Sequence, residues 1–127
     1  MQFININHPE QKVSFSQAVV TGLGKGQGLF FPEKLAPLND IPALLEMDFV
    51  SRSTVLLKHL VGDAMGGDVV AECVKSAFNF PLPLTSVSEH IHALELFHGP
   101  SLAFKDFGAR FMAQCLTAIN AEQHTTI

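Results

Sequence analysis

Glu95 to Leu116 read ELFHGPSLAFKDFGARFMAQCL, and the change of pattern inside this stretch decides how the chain is built. Leu94, Leu96 and Phe97 are apolar and suit a strand, His98, Gly99 and Pro100 break the pattern, and from Lys105 onward apolar residues recur at helical spacing. A lysine therefore opens a helix that follows a short strand and a loop, at the end where an acidic residue is favoured. At roughly 100° per residue, Asp106, Arg110, Gln114 and Thr117 share one narrow arc, and Phe107, Phe111, Met112, Cys115, Leu116 and Ile119 cover the rest. Such a helix is expected to be mostly buried. Lys105 stands outside the polar arc, over the row Gly108, Ala109, Met112 and Leu116, which begins with the two smallest side chains, so another molecule can approach it closely. The positive end of the helix dipole and partial desolvation both disfavour an ammonium there, and an amine can form a Schiff base with an aldehyde. For a lysine taken by itself, the competing reading is a stem laid on apolar surface with its charged head in water.

Working back from this stretch, Gln2 to Ile6 alternates as a short strand, and Ser14 with Gln17 forms a capping box before a helix over Phe15 to Thr21, closed by Gly22. Gly24, Gly26 and Gly28 lead into the apolar run Leu29, Phe30 and Phe31, which Pro32 ends. A dinucleotide loop follows a strand and opens a helix, and here that order is reversed, so the glycines read as a structural turn. Asp40 caps a short helix through Glu46, Asp48 a longer one from Phe49 to Val61 ended by Gly62, and Asp68 a third over Val69 to Phe78. Pro81 and Pro83 exclude helix, after which Leu84 to Val87 and Ile91 to Phe97 read as two strands joined through Ser88, Glu89 and His90. The expected fold class is α+β, helix-rich with a few short, mostly antiparallel strands.

The chain of 127 residues is one domain at most, long enough for a core and short for an enzyme that encloses a cofactor between two domains. Hydrophobic residues make up 47% of it, which fits either a well-filled interior or a surface that something else covers. With a net charge of −4 and no basic cluster, neither nucleic acid nor a membrane surface is an expected partner. The N-terminus has no basic start and no long apolar run, and Lys58 and His59 interrupt the best candidate membrane span. Cys73 and Cys115 lie far apart at apolar helix positions, which suggests free core thiols in a reducing compartment, by default the cytoplasm. His90 and His92 share one strand face but have no matching carboxylate or thiol, so no metal is expected. His98 sits in the loop before the lysine, where it can either touch a ligand or be satisfied by backbone.

The run from Leu96 to Gly108, followed by Arg110, Phe111, Met112, Ala113 and Gln114, resembles the lysine segment of threonine synthases. These are pyridoxal phosphate enzymes of the tryptophan synthase β-like group, an α/β family. Gly22, Leu23 and Gly24, then Gly28, Leu29, Phe30, Phe31 and Pro32, are similar to the early glycine, leucine and proline pattern of the same family, so the resemblance spans nearly the whole chain. Ser101 keeps a hydroxyl where the family more often has threonine, and Ala109 stands where it more often has glycine. The resemblance implies that Lys105 holds pyridoxal 5'-phosphate as a Schiff base and moves protons on the substrate, with Phe104 and Asp106 beside it in the cofactor-binding segment. Read from the residues alone, Asp106 is first a helix N-terminal acid with Arg110 one turn on.

Thr125, Thr126 and Ile127 are β-branched and follow a helix terminator at Asn120, so they read as the start of a strand. In the resembling family the next strand leads to a serine and glycine-rich loop that holds the cofactor phosphate. Residues 1–127 are therefore expected to be an N-terminal domain ending before that loop, inactive without the remainder of the same enzyme. The whole enzyme would convert O-phospho-L-homoserine and water to L-threonine and phosphate. The alternatives are another lyase of this cofactor group, such as a threonine synthase-like phospho-lyase, or a noncatalytic module with a surface lysine.

Overall fold

The fold begins with Phe3–Asn5 (β1), the middle strand of a small sheet, paired antiparallel with Lys12–Val13 (β2) on one side and Phe30–Pro32 (β3) on the other. The structure, a computed structural model, describes residues 1–124; the strand start read over 125–127 lies outside the described residues. Strand β2 was not foreseen, because two residues are too few to show alternation. The pairing sets Phe3 opposite Val13 and Pro32, and an ion pair between Lys12 and Glu33 joins the outer strands.

Asn5 ends β1 fully buried, and this polar side chain fixes the glycine-rich turn. Its Nδ2 donates to Gln11 Oε1 at 2.7 Å and to the Lys25 carbonyl at 2.9 Å, while its Oδ1 accepts from the Asn7 amide at 2.9 Å. A buried amide with all these bonds made stabilises one loop conformation. Gly28 passes so close that an added Cβ would lie 2.7 Å from Asn5 Cγ. The glycines therefore form a structural turn, as their order in the sequence suggested.

Helix Phe15–Thr21 (α1) starts from the expected capping box: Ser14 Oγ accepts from the Gln17 amide at 3.2 Å and Gln17 Oε1 from the Ser14 amide at 2.9 Å. Helix Ile41–Glu46 (α2) is capped by Asp40, and Phe49–Met65 (α3) by Asp48, which accepts from the amides of Val50 and Ser51. The break between the next two helices differs from the sequence reading. The third helix runs through Gly62, because Val61 and Met65 are both buried on its inner side and their packing outweighs the roughly 1 kcal/mol cost of an interior glycine. Gly66, at φ +84°, makes the actual break, and Gly67–Ala77 (α4) follows with Asp68 in its first turn rather than as its cap.

Helix α4 is the centre of the molecule. Val70, Val74 and Ala77 are fully buried, and the two valines pack with Phe3, Ala18, Val61, Met65, Cys73 and Cys115 of the last helix into the core. Leu84–Ser88 (β4) and Ile91–Leu94 (β5) then form an antiparallel hairpin with an irregularity between Ser86 and Ser88. Every residue of the two strands is exposed, including Leu84 at 65% and Val87 at 66%. The second strand stops at Leu94 instead of Phe97, where the chain leaves the hairpin for the loop.

Helix Lys105–His124 (α5) packs against α1 and α4 through Cys115 and Ile119. It does not end at Asn120, since buried Ile119 keeps that turn against the core. Burial pushes the Cys115 thiol up to about 12, with Cys73 beside it adding to the shift, and burial raises Cys73 as well. Both thiols are free and protonated at neutral pH. The architecture is α+β and helix-rich, with antiparallel strands throughout. Among the described residues, no helix is long and apolar enough to cross a membrane, and no group of three or more His, Cys, Asp or Glu side chains could hold a metal ion.

Candidate functional site

The loop from Glu95 to Phe104 and the first turns of α5 form one unit, and its anchor is Asp106. This carboxylate is only 7% exposed. Its Oδ1 accepts from Ser101 Oγ at 2.7 Å and its Oδ2 from the Ser101 amide at 2.9 Å. The Asp106 amide in turn donates to the Ala103 carbonyl at 3.1 Å, and the Leu102 amide to the Gly99 carbonyl at 3.0 Å. Gly99 packs directly on Asp106, so that a Cβ built there would fall 2.7 Å from the aspartate's own Cβ. The loop is thus wrapped around one buried acid at the positive end of the helix dipole. Leu102 takes a left-handed conformation, φ +56°, while 75% exposed, so the loop carries backbone strain beside the lysine.

The Ser101 hydroxyl, first, and the Ser101 and Ala103 amides hold the Asp106 carboxyl below the usual carboxylate range. A group depressed in the folded state contributes stability that is complete above its unfolded value and is lost as pH falls through the folded value. Acid titration of the protein should therefore release this loop below the ordinary aspartate range, while Asp106→Asn should remove that part of the acid sensitivity. Thermal unfolding followed from neutral to strongly acidic pH checks this; identical acid profiles for the two proteins would contradict it.

Arg110 does not pair with Asp106 as the i, i+4 spacing suggested. It reaches the end of α4 instead, donating from Nε to the Ala77 carbonyl at 2.8 Å and from Nη2 to the Ser76 carbonyl at 3.1 Å and Asn79 Oδ1 at 2.8 Å. These are carbonyls that a helix end leaves unpaired, so the arginine caps α4 and locks α5 against it. Phe107 adds to this by packing edge-on to Phe49 and against Phe78 and Phe80. The start of the polar arc of α5, Asp106 and Arg110, is therefore turned inward.

Over these first turns the opposite face of α5 is open, which corrects the expectation of a mostly buried helix. Lys105, Gly108, Ala109 and Met112 are all exposed, Met112 by 51%, and a Cβ added to Gly108 would meet nothing within 4 Å. The partial desolvation expected at Lys105 is not supplied by the described residues. Its amine makes no hydrogen bond or ion pair among them, and Phe104 beside it is 64% exposed. An exposed apolar face around an unpartnered amine is unusual for a surface that stays in water.

Of the residues picked from the sequence, Lys105, Phe104 and Asp106 fall together at the helix start, with Asp106 turned inward and the other two outward. His98 is held by Glu95 Oε2, 2.6 Å from its Nε2, and not by backbone. Glu95 Oε1 also accepts from Thr85 Oγ1 at 2.8 Å. Sequence reasoning missed Glu95, Thr85 and the Ser101–Asp106 clasp; only the spacing of Glu95 and His98, three apart, hinted at the first. His90 and His92 are exposed on the hairpin.

No protein-family model matches the chain. Over 127 residues it is 54% identical to threonine synthase of Haemophilus influenzae, covering 100% of this chain and 30% of that protein. The crystal structure of threonine synthase from Escherichia coli superimposes with a TM-score of 0.89 at 48% identity, over 96% of this chain and 29% of the other. The crystal structure of PLP-bound threonine synthase from Brucella melitensis also gives 0.89, at 26% identity over 98% of this chain and 28% of that one. In sequence and backbone the chain is thus similar throughout to the N-terminal region of threonine synthases, and it spans about 30% of the length of the curated relatives it matches.

Proposed function

We propose that this chain is the N-terminal part of a threonine synthase, in which Lys105 is the residue that binds the aldehyde of pyridoxal 5'-phosphate. The observation that carries this reading is the unpaired amine of Lys105 over the open row of Gly108, Ala109 and Met112. The residues fit the group: a primary amine suits an aldehyde, the small side chains leave room for a planar ring, and exposed Phe104 and Leu102 offer apolar surface beside it. When bound, the cofactor would withdraw electrons from the substrate's carbon skeleton.

The chain's own residues would do the rest in named ways. The amine of Lys105, once released from the cofactor, would take and return protons at the substrate's α and β carbons. Asp106 would not touch the reacting atoms; its clasp on Ser101 and Gly99 fixes the turn from which Lys105 projects. The apolar face around Lys105 would exclude water once the remainder of the enzyme covers it. In this reading the full-length protein converts O-phospho-L-homoserine and water to L-threonine and phosphate in the cytoplasm.

Released phosphate, measured with O-phosphohomoserine and added cofactor, tests both halves. The full-length protein should release phosphate and threonine in equal amounts, and the isolated 127-residue chain neither. A full-length protein that releases phosphate without threonine would transfer the reading to another lyase of this cofactor group. Phosphate release by the isolated chain would overturn the need for the remainder.

A further inference from the structure

We propose that the outer edge of β5 is the seat of a further β-strand, supplied by the part of the enzyme that lies outside these 127 residues. This rests on the function proposed above, in which the chain is one part of a longer protein. The hairpin is unfinished as it stands. Two strands alone are marginally stable in water, and every residue of β4 and β5 is exposed. Leu84 and Leu94 stand opposite each other and share one face, 65% and 54% exposed. Ile91, three residues before Leu94, takes the other face and is 60% exposed. Apolar side chains on both faces suit a strand inside a larger sheet, with layers above and below it.

The register shows which backbone groups await a partner. The Glu95 amide donates to the Pro83 carbonyl at 3.0 Å, so these two residues form a hydrogen-bonded pair next to Leu84 and Leu94. In an antiparallel ladder such pairs alternate with pairs whose N–H and C=O groups point outward. Leu84 with Leu94, and Ser86 with His92, are the outward-pointing pairs. The hairpin is a sheet of two strands, so the N–H and C=O groups of His92 and Leu94 line an edge of β5 that no other strand takes among the described residues.

The two edges of the hairpin are not alike. Pro81 and Pro83 precede β4, and its ladder is irregular between Ser86 and Ser88; both features turn a further strand away. Strand β5 has neither proline nor lysine, and its residues pair one by one without an extra residue of their own. Its edge is the one left open.

Length and continuity decide between occupants. The chain is similar to threonine synthases from end to end yet spans about 30% of their length, so most of such an enzyme lies elsewhere. Strand β5 also runs directly into the loop before Lys105, and Glu95, which follows Leu94, holds His98 Nε2 at 2.6 Å from its Oε2. A strand seated on β5 would therefore steady the start of that loop. Main-chain pairing supplies the affinity of such a contact, and Leu94 and Ile91, on opposite faces, fix its register.

Hydrogen exchange at single amides of the full-length protein tests this. The His92 and Leu94 amides should exchange at least about 100-fold more slowly than in an unstructured peptide of the same sequence. His92→Pro removes one outward N–H and leaves the β4 ladder intact, so its unfolding temperature should fall below that of His92→Ala. Exchange at the peptide rate, or equal unfolding temperatures for the two variants, overturns the proposal. Protection that rises with protein concentration overturns it too, because a second copy would then hold the edge. Failure of the functional reading shows separately, as absent threonine formation by the unsubstituted protein, since exchange is read without substrate.

Discussion

Replacing Lys105 by alanine in the full-length protein is expected to lower threonine formation by about 10³-fold or more, because in the proposed function one side chain would supply both the attachment point and the proton carrier. The fold should be indifferent to the change. Lys105 is exposed, makes no hydrogen bond or ion pair among the described residues, and lies beside the exposed Gly108, Ala109 and Met112 at the start of α5. Thermal unfolding of the variant should therefore match the parent, while the visible absorbance of bound cofactor disappears. A variant that lost its fold along with its activity would make the lysine structural. Retained activity would remove it from the site.

Gly99→Ala is expected to be the most damaging small substitution near the site. The new methyl would sit 2.7 Å from Asp106 Cβ and nearer still to its carboxylate, so either the loop or the first turn of α5 must shift. Overpacking of this kind costs about 1–3 kcal/mol, and the clasp between Ser101 and Asp106 would be pulled apart with it. The expected result is a lower unfolding temperature and a large loss of activity, since Lys105 projects from the turn that moves. Gly108→Ala is the control: a Cβ there meets nothing within 4 Å, and the same change in the helix interior should raise stability slightly. Equal unfolding temperatures for Gly99→Ala and the parent would contradict the steric account.

Much of this was legible in the sequence, for physical reasons that differ from element to element. The capping box at Ser14 and Gln17, and the caps at Asp40 and Asp48, are local devices, so their residues alone locate the helix starts. Gly62 misled because its cost is local while the burial of Val61 and Met65 that overrides it comes from α4 and its neighbours. The same holds for α5. Its wheel correctly placed Asp106 and Arg110 on one arc, but hydrophobicity alone could not say which arc met the core. The start of that arc turned inward, where Arg110 meets the carbonyls of Ser76 and Ala77, more than thirty residues away in the chain.

Lys105 stands out in the sequence because its oddity is local, a cation at the start of a helix next to small residues. The partners that shape its loop do not. Thr85, Glu95 and Ser101 are ordinary in sequence, and only the return of the hairpin and the wrap of the loop around Asp106 bring them together. The exposed apolar face beside the lysine was visible in composition only as a surplus of hydrophobic residues, 47% of the chain, without an address. The structure supplies that address: Leu102, Phe104 and Met112, exposed around the start of α5.

The central claim is that one lysine of this sequence binds the cofactor's aldehyde. Reduction of the full-length protein with borohydride in the presence of pyridoxal phosphate, followed by proteolysis and mass mapping, tests it most directly. The account predicts a single reduced adduct on the peptide carrying Lys105, absent from Lys105→Ala. An adduct on a different lysine, or none at all, would contradict it.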